Sequence, residues 1–290
     1  MKIYSFLNKY FNLLLILPAF LTLTLLVGWP IIYTIYLSFN KWIISSKTIP
    51  TYIGLKNYID TFTDQQFYDS LQITIYFTFG GLAIQLVLGV SIAQLLNRKF
   101  IGESIFRSIL ILPIASTPVV IALVWRLMLH PTLGIINYIL NFLNIGGEPW
   151  LSQYNTVILT LIVIDTWHWT PLIVLITLAG MTSIDKQLYE AAKIDGANSF
   201  QLFRHITLPL IRHIVIIAVL LRFMDSIKTF DMIYVTTEGG PGTASRILNL
   251  FIFDQGLRYF KMGYSSANVV ILTLLVMVTC FFMIYFRKKS

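Results

Sequence analysis

Residues 10–40 read YFNLLLILPAFLTLTLLVGWPIIYTIYLSFN and contain no charged side chain. A helix needs about 20 apolar residues to cross the hydrocarbon core of a bilayer. The run therefore predicts a first transmembrane span over Leu13 to Phe39, with Pro18 and Pro30 as candidate kinks. A cleaved signal peptide is the competing reading. The run is too long for one, and no small-residue cleavage site with a soluble sequel follows it.

Working outward, the same composition extends along the 290 residues. Hydrophobic residues make up 57% and charged residues only 12%, against roughly 25% charged in an ordinary soluble domain. Mean hydropathy is +0.76. Five more apolar runs predict spans near Ser70 to Leu96, Ser104 to Leu129, Asn155 to Met181, Leu208 to Val235 and Ser265 to Phe286. Backbone polar groups in lipid need internal partners, so helices are expected. No period-two alternation points to a membrane barrel. The prediction is an all-α polytopic membrane protein of six transmembrane helices, one integral membrane domain over residues 1–290.

Six spans put both termini on one side. Lys2, Lys9, Arg98, Lys99, Arg107, Lys186, Lys193, Arg204, Arg212, Arg287, Lys288 and Lys289 fall there. The other side holds Lys41, Lys47, Lys56, Arg246, Arg258 and Lys261, with Arg126 near its boundary. The excess of Lys and Arg marks the cytoplasmic face, so both termini are expected inside a cell membrane. The net charge of +8 reflects this topology, and no nucleic-acid partner is expected. Cys280 lies in an apolar run and has no second cysteine to pair with.

The loop between the fourth and fifth spans, DKQLYEAAKIDGANSFQLFRHITLPLIR over 185–212, is dense in signals. Gln187 to Ile194 are good helix formers, and Gly196 supplies a left-handed stop. Asn198 is a candidate N-cap with Gln201 as its box partner. Pro209 fits the start of the next span. Helix, sharp turn and helix then read as a docking element, with Leu188, Ala191 and Ala192 as a small-residue surface and Glu190 and Lys193 at its rim. An ordinary solvated loop is the alternative.

Glu190-Ala191-Ala192, Asp195-Gly196-Ala197 and Ile206, Leu208, Pro209 resemble the EAA loop of binding-protein-dependent importer permeases. Leu112-Pro113, Asp165-Thr166-Trp167 with Pro171, and Thr237 to Gly242 resemble the carbohydrate branch of that family, the first of its two paired permeases, of the maltose and glycerol-phosphate type. The resemblance implies a type I permease fold with its core at about 70–286 and a coupling loop at about 183–210. It implies a heterodimer with a second permease, two ATP-binding subunits that hold ATP and magnesium, and an external solute-binding protein. Glu190, Ala191, Ala192, Asp195, Gly196 and Pro209 are then the ATPase-coupling residues. The chain contains no G-x-x-x-x-G-K-[ST] phosphate cradle, so it is not expected to be the ATPase or to carry a cofactor.

Ionisable residues at membrane depth face cavities or partners. Asp165 lies in the fourth span, and Arg222, Asp225, Lys228 and Asp231 alternate in sign at i,i+3 spacing in the fifth. They read either as a polar solute path or as charges that neutralise one another or pair with a second permease. The family resemblance implies solute contacts at Asp165, His168, Trp169, Arg222, Asp225, Ser226 and Thr229, with Ser116 and Thr117 as weaker candidates. Relatives of the maltose type have neutral residues at several of these positions, so a maltose-like ligand is not implied. The solute class is a sugar, polyol or sugar phosphate. An ion-driven secondary transporter is the alternative, opposed by the docking loop and the lack of an inverted repeat. A membrane-embedded enzyme would need a catalytic set, and neither that nor metal-ligand spacing is readable.

Overall fold

A computed structural model describes residues 15–46, 49–98 and 100–289, with the side chains of 46 and 286–289 outside the description. Lys2, Lys9, Lys47 and Lys99 of the topology argument, and Leu13, where the first span is predicted to begin, lie outside the described residues. Five helices are long and apolar enough to cross a membrane, and one bent pair makes up to a sixth. The chain divides into two compact units, residues 1–65 with 252–275, and residues 66–251 with 276–290.

In the first unit, helix α1 (Leu15–Ser38) is the first span, and none of its apolar window is buried. A π turn at Thr24–Gly28 precedes Pro30. Such a turn accommodates the backbone bond that proline cannot donate. After α1, strand β1 (Asn40–Lys41) pairs antiparallel with β2 (Thr51–Tyr52). Helix α2 (Lys56–Thr63) follows. Asn57 Nδ2 ties it back to the end of α1 and to β1 by donating to the carbonyls of Ser38 at 2.8 Å and Asn40 at 3.0 Å.

The second unit is built on α3 (Gln65–Leu96), α4 (Glu103–Ala115), α5 (Pro118–Met128), α6 (Ile135–Phe142) and α7 (Val157–Thr182). Then come α8 (Lys186–Ile194), the long helix α9 (Ser199–Ile227) and α10 (Asp231–Thr236). A short α11 (Leu248–Phe253) leads out of this unit, since residues 252–275, including the first half of the last span α12 (Met262–Lys289), belong to the first unit and 276–290 to the second. Helix α7 is the axis of this unit, with 67% of its apolar window buried. Ala93 and Leu96 of α3, Val174, Leu178 and Met181 of α7, and Ile211 of α9 form its core.

Lipid supplies no hydrophobic drive between helices, so close packing of small residues must do this work. A Cβ at Gly89 would lie 2.6 Å from Ile173 Cγ2 and 2.8 Å from Ile173 Cβ. Gly89→Leu should therefore force α3 from α7 and cost about 1–3 kcal/mol. The expected readout is a lower melting temperature of the detergent-extracted protein, partly restored by Ile173→Ala. An unchanged value for Gly89→Leu would show that the two helices do not depend on this contact.

Three expectations change. The predicted third span, Ser104 to Leu129, is not one helix: α4 and α5 meet at 100°. Ser116 and Thr117 are both extended between them. Proline disfavours helical geometry in the residue before it, which is Thr117, and Pro118 then opens α5. The fifth span stops at Ile227 instead of Val235, because Lys228 to Phe230 interrupt it. Asn249 Nδ2 donates to the carbonyls of Ile227 at 3.4 Å and Thr229 at 3.3 Å, near that break. Finally, the second helix of the docking loop does not end before Pro209. It runs through a π turn at Phe203–Thr207 straight into the fifth span.

Candidate functional site

The polar centre of the second unit lies where α3, α7 and α9 approach one another. Asp165 Oδ2 accepts hydrogen bonds from Gln85 Nε2 at 2.8 Å and from Arg222 Nη2. Arg222 Nε donates to Gln85 Oε1 at 2.8 Å. Three side chains from three helices thus close a ring. Asp165 and Arg222 are each 1% exposed, and Gln85 is fully buried. Desolvating two charges is costly, and only good geometry with added hydrogen bonds repays it. Gln85 provides those bonds at both ends.

The ion pair corrects the sequence reading of the fifth span. Arg222 does not pair with Asp225 along its own helix but with Asp165 across to α7. Asp225 is left to Lys228, at 3.9 Å and half exposed. Gln85 was missed. Its signal was available: of Gln72, Gln85 and Gln94 in the second span, Gln85 lies nearest the middle of the apolar run, and an amide at that depth needs a polar partner.

Beside the ring opens a cavity of about 320 Å³. Asp165, His168, Trp169, Arg222, Asp225 and Thr229 line it, together with Pro118, Lys228, Phe230, Asp231 and Met232. Six of the seven expected solute residues therefore converge. The seventh, Ser226, is buried and does not line the cavity. The Trp169 ring lies 5.0 Å from the Arg222 guanidinium, so one face of the indole is held by a cation. His168 Nε2 lies 3.3 Å from the carbonyl of Ser116, at the extended break between α4 and α5. That contact gives a partner to a backbone group which the broken helix leaves free. Ser116 and Thr117 themselves are absent from the lining. The charges of Asp165 and Arg222 offset one another, and Asp225, Lys228 and Asp231 are the other charged groups in the lining. Among the described residues no group of His, Cys, Asp and Glu could hold a metal ion.

The caps and the turn of the 185–212 segment form as its sequence predicts. Asp185 caps α8 by accepting from the Gln187 amide at 2.9 Å. Gly196 follows with φ +82°. The Gly196 amide donates to Lys193 O at 3.1 Å and the Ala197 amide to Ala192 O at 2.9 Å, the paired bonds of a Schellman stop. Asn198 and Gln201 form the full capping box, with bonds of 2.9 and 2.8 Å. Tyr189 and Thr207 hydroxyls, 2.9 Å apart, fasten α8 to the root of the fifth span. Glu190, Ala191, Ala192 and Asp195 thus sit on α8 or its cap, and Pro209 just past the π turn. Leu188, Ile194 and Phe200 are exposed around this turn.

The family model for the binding-protein-dependent transport system inner membrane component matches residues 85–289. This chain belongs to that family. The permease is 32% identical over 275 residues to the trehalose/maltose transport system permease protein MalF of Thermococcus litoralis, covering 94% of this chain and 92% of the relative. It is 30% identical to the sulfoquinovosyl glycerol transport system permease protein SmoG of Agrobacterium fabrum, covering 98% and 92%. A bacterial ABC transporter involved in the import of the acidic polysaccharide alginate has the same fold, with a TM-score of 0.86 at 20% identity over 100% of this chain and 99% of that one. The permease is a multi-pass inner-membrane subunit of an ABC importer, and ATP hydrolysis belongs to separate subunits.

Proposed function

We propose that this permease conducts a sugar or related polyol past Trp169 and Asp225, after delivery by an external solute-binding protein. The cavity carries this reading. An indole face beside a carboxylate suits a sugar ring, which offers apolar C–H faces and hydroxyl donors at once. Asp165, Arg222 and Gln85 support the wall, while Trp169, His168, Asp225 and Thr229 contact the solute. The named relatives that carry trehalose, maltose or sulfoquinovosyl glycerol support the same class. A second permease closes the path from the other side. Two ATPase subunits, holding ATP and magnesium, seat α8 and the Gly196 turn. The exposed Leu188, Ile194 and Phe200 supply an apolar contact there. The basic-residue asymmetry supports a cytoplasmic position for this turn and both termini.

Uptake by cells expressing the complete importer tests the proposal. Labelled maltose or trehalose should compete with its natural solute, whereas amino acids should not. Trp169→Ala should slow uptake about tenfold, equivalent to about 1.4 kcal/mol. Competition by amino acids alone would overturn the sugar assignment. Uptake that persists without the ATPase subunits but collapses with the ion gradient would make the chain a secondary transporter. In the same cells an impermeant thiol reagent should label a cysteine at Thr243 but not one at Ser199. The reverse pattern would invert the topology.

A further inference from the structure

The first unit holds a cavity of about 580 Å³ that the transport path does not use. Lys41, Lys56 and Lys261 line it, with Trp42, Gln255 and two carboxylates, Asp60 and Asp64, the second of which accepts a hydrogen bond from Tyr264. None of the three lysines pairs with a carboxylate among the described residues. Gln255 is 5% exposed, and its Oε1 has no hydrogen-bond partner there. A buried acceptor left open calls for a donor. The cavity lies at the ends of two spans. Lys41 and Trp42 follow α1, which ends at Ser38, and Lys261 precedes α12, which begins at Met262. This is headgroup depth. Helix α2 adds an independent sign. Its Lys56 and Asp60 turn to the cavity, while Leu55, Ile59 and Phe62, spaced as one helical face, are 61%, 61% and 55% exposed. That is the pattern of a helix lying in the membrane interface. The distribution of basic residues points the same way. Few lysines are expected on the face opposite the termini, yet three of those found there surround one cavity.

We propose that this cavity binds the headgroup of an anionic, hydroxyl-bearing phospholipid of the phosphatidylglycerol class. The lysines hold the phosphodiester, and a headgroup hydroxyl donates to Gln255 Oε1 or Asp60. The acyl chains run down beside α1, whose apolar surface is open.

Native mass spectrometry of the purified importer complex tests this with three probes: dioctanoyl phosphatidylglycerol, dioctanoyl phosphatidylcholine and glycerophosphoglycerol. Dioctanoyl phosphatidylglycerol should bind about tenfold more tightly than the choline lipid. Lys56→Gln/Lys261→Gln should abolish the preference, and Gln255→Leu should weaken phosphatidylglycerol several-fold, with basal ATP hydrolysis unchanged in both. Equal binding of the two lipids, or a double lysine variant like the wild type, would overturn the proposal. Glycerophosphoglycerol binding as tightly as the lipid would make the ligand a free phosphodiester and exclude the membrane source. Loss of solute-binding-protein capture in the lysine variant, with lipid retention unaltered, would reassign the lysines to protein docking.

Discussion

Asp165→Ala should leave little folded protein after detergent extraction. The substitution removes a carboxylate from a site 1% exposed and strands the Arg222 guanidinium, also 1% exposed, with only Gln85 Oε1 and the Trp169 ring. Breaking a buried pair by removing one member costs about 3–5 kcal/mol, a large part of the 5–15 kcal/mol that holds typical domains together. Arg222→Leu should be comparably damaging, because Asp165 would keep only the Gln85 amide. Gln85→Leu/Asp165→Leu/Arg222→Leu removes all three polar groups together. Its yield should recover towards the wild type, since exchanging a buried pair for apolar residues is often neutral or stabilising. Uptake should stay impaired, because the wall behind Trp169 is rebuilt without its cation. Size-exclusion yield and uptake, measured together, check this. Single variants that fold normally and lose only uptake would make Asp165 a direct solute contact. A triple variant recovered no better than the singles would mean that the ring itself is required for folding.

Gly196→Val should abolish coupled transport while the spans still insert. A Cβ at Gly196 meets no atom within 4 Å, so crowding is not the obstacle. The obstacle is φ +82°, where a β-branched residue is strained by about 1–2 kcal/mol. The strain acts on the Schellman bonds from Gly196 and Ala197 and tilts α8 against the Asn198 cap. The π turn beyond that cap leads directly into the fifth span, so α9 carries any displacement at the turn to Arg222 and Asp225. Gly196→Asn should retain most function, because asparagine tolerates the left-handed region. Glu190→Ala should weaken ATPase association less than Gly196→Val, since an exposed ion pair contributes only about 0–1 kcal/mol. Co-purification of the ATPase and solute-stimulated hydrolysis in each variant check the order. Normal values in Gly196→Val would refute a rigid transmission through this turn.

Local signals were legible where the chain determines its own geometry. Asn198 and Gln201 are three residues apart, and their reciprocal bonds need no distant partner. Gly196 stops α8 by backbone conformation alone. The long apolar runs of α1, α3, α7 and α12 had to be helical, because lipid offers the backbone no other partner. Pro118 carried a readable break that hydropathy over Ser104 to Leu129 concealed, since a sliding apolar average does not register one extended pair such as Ser116 and Thr117.

Charge pairing was decided only by the tertiary structure. Along the fifth span Arg222 and Asp225 are three residues apart, and i,i+3 spacing invites a pair. Helix packing instead turns Arg222 inward to Asp165, 57 residues away in sequence, and to Gln85, 137 away. Gln85 bonds to both charges and offsets their desolvation, which makes the buried pair favourable, while Asp225 and Lys228 stay half exposed at 3.9 Å. Sequence alone therefore determined the membrane class, most of the spans and the form of the Gly196 turn, because each rests on local backbone energetics or on the solvent. The ring of Asp165, Arg222 and Gln85 came from three helices packed side by side, an arrangement with no fixed spacing along the chain.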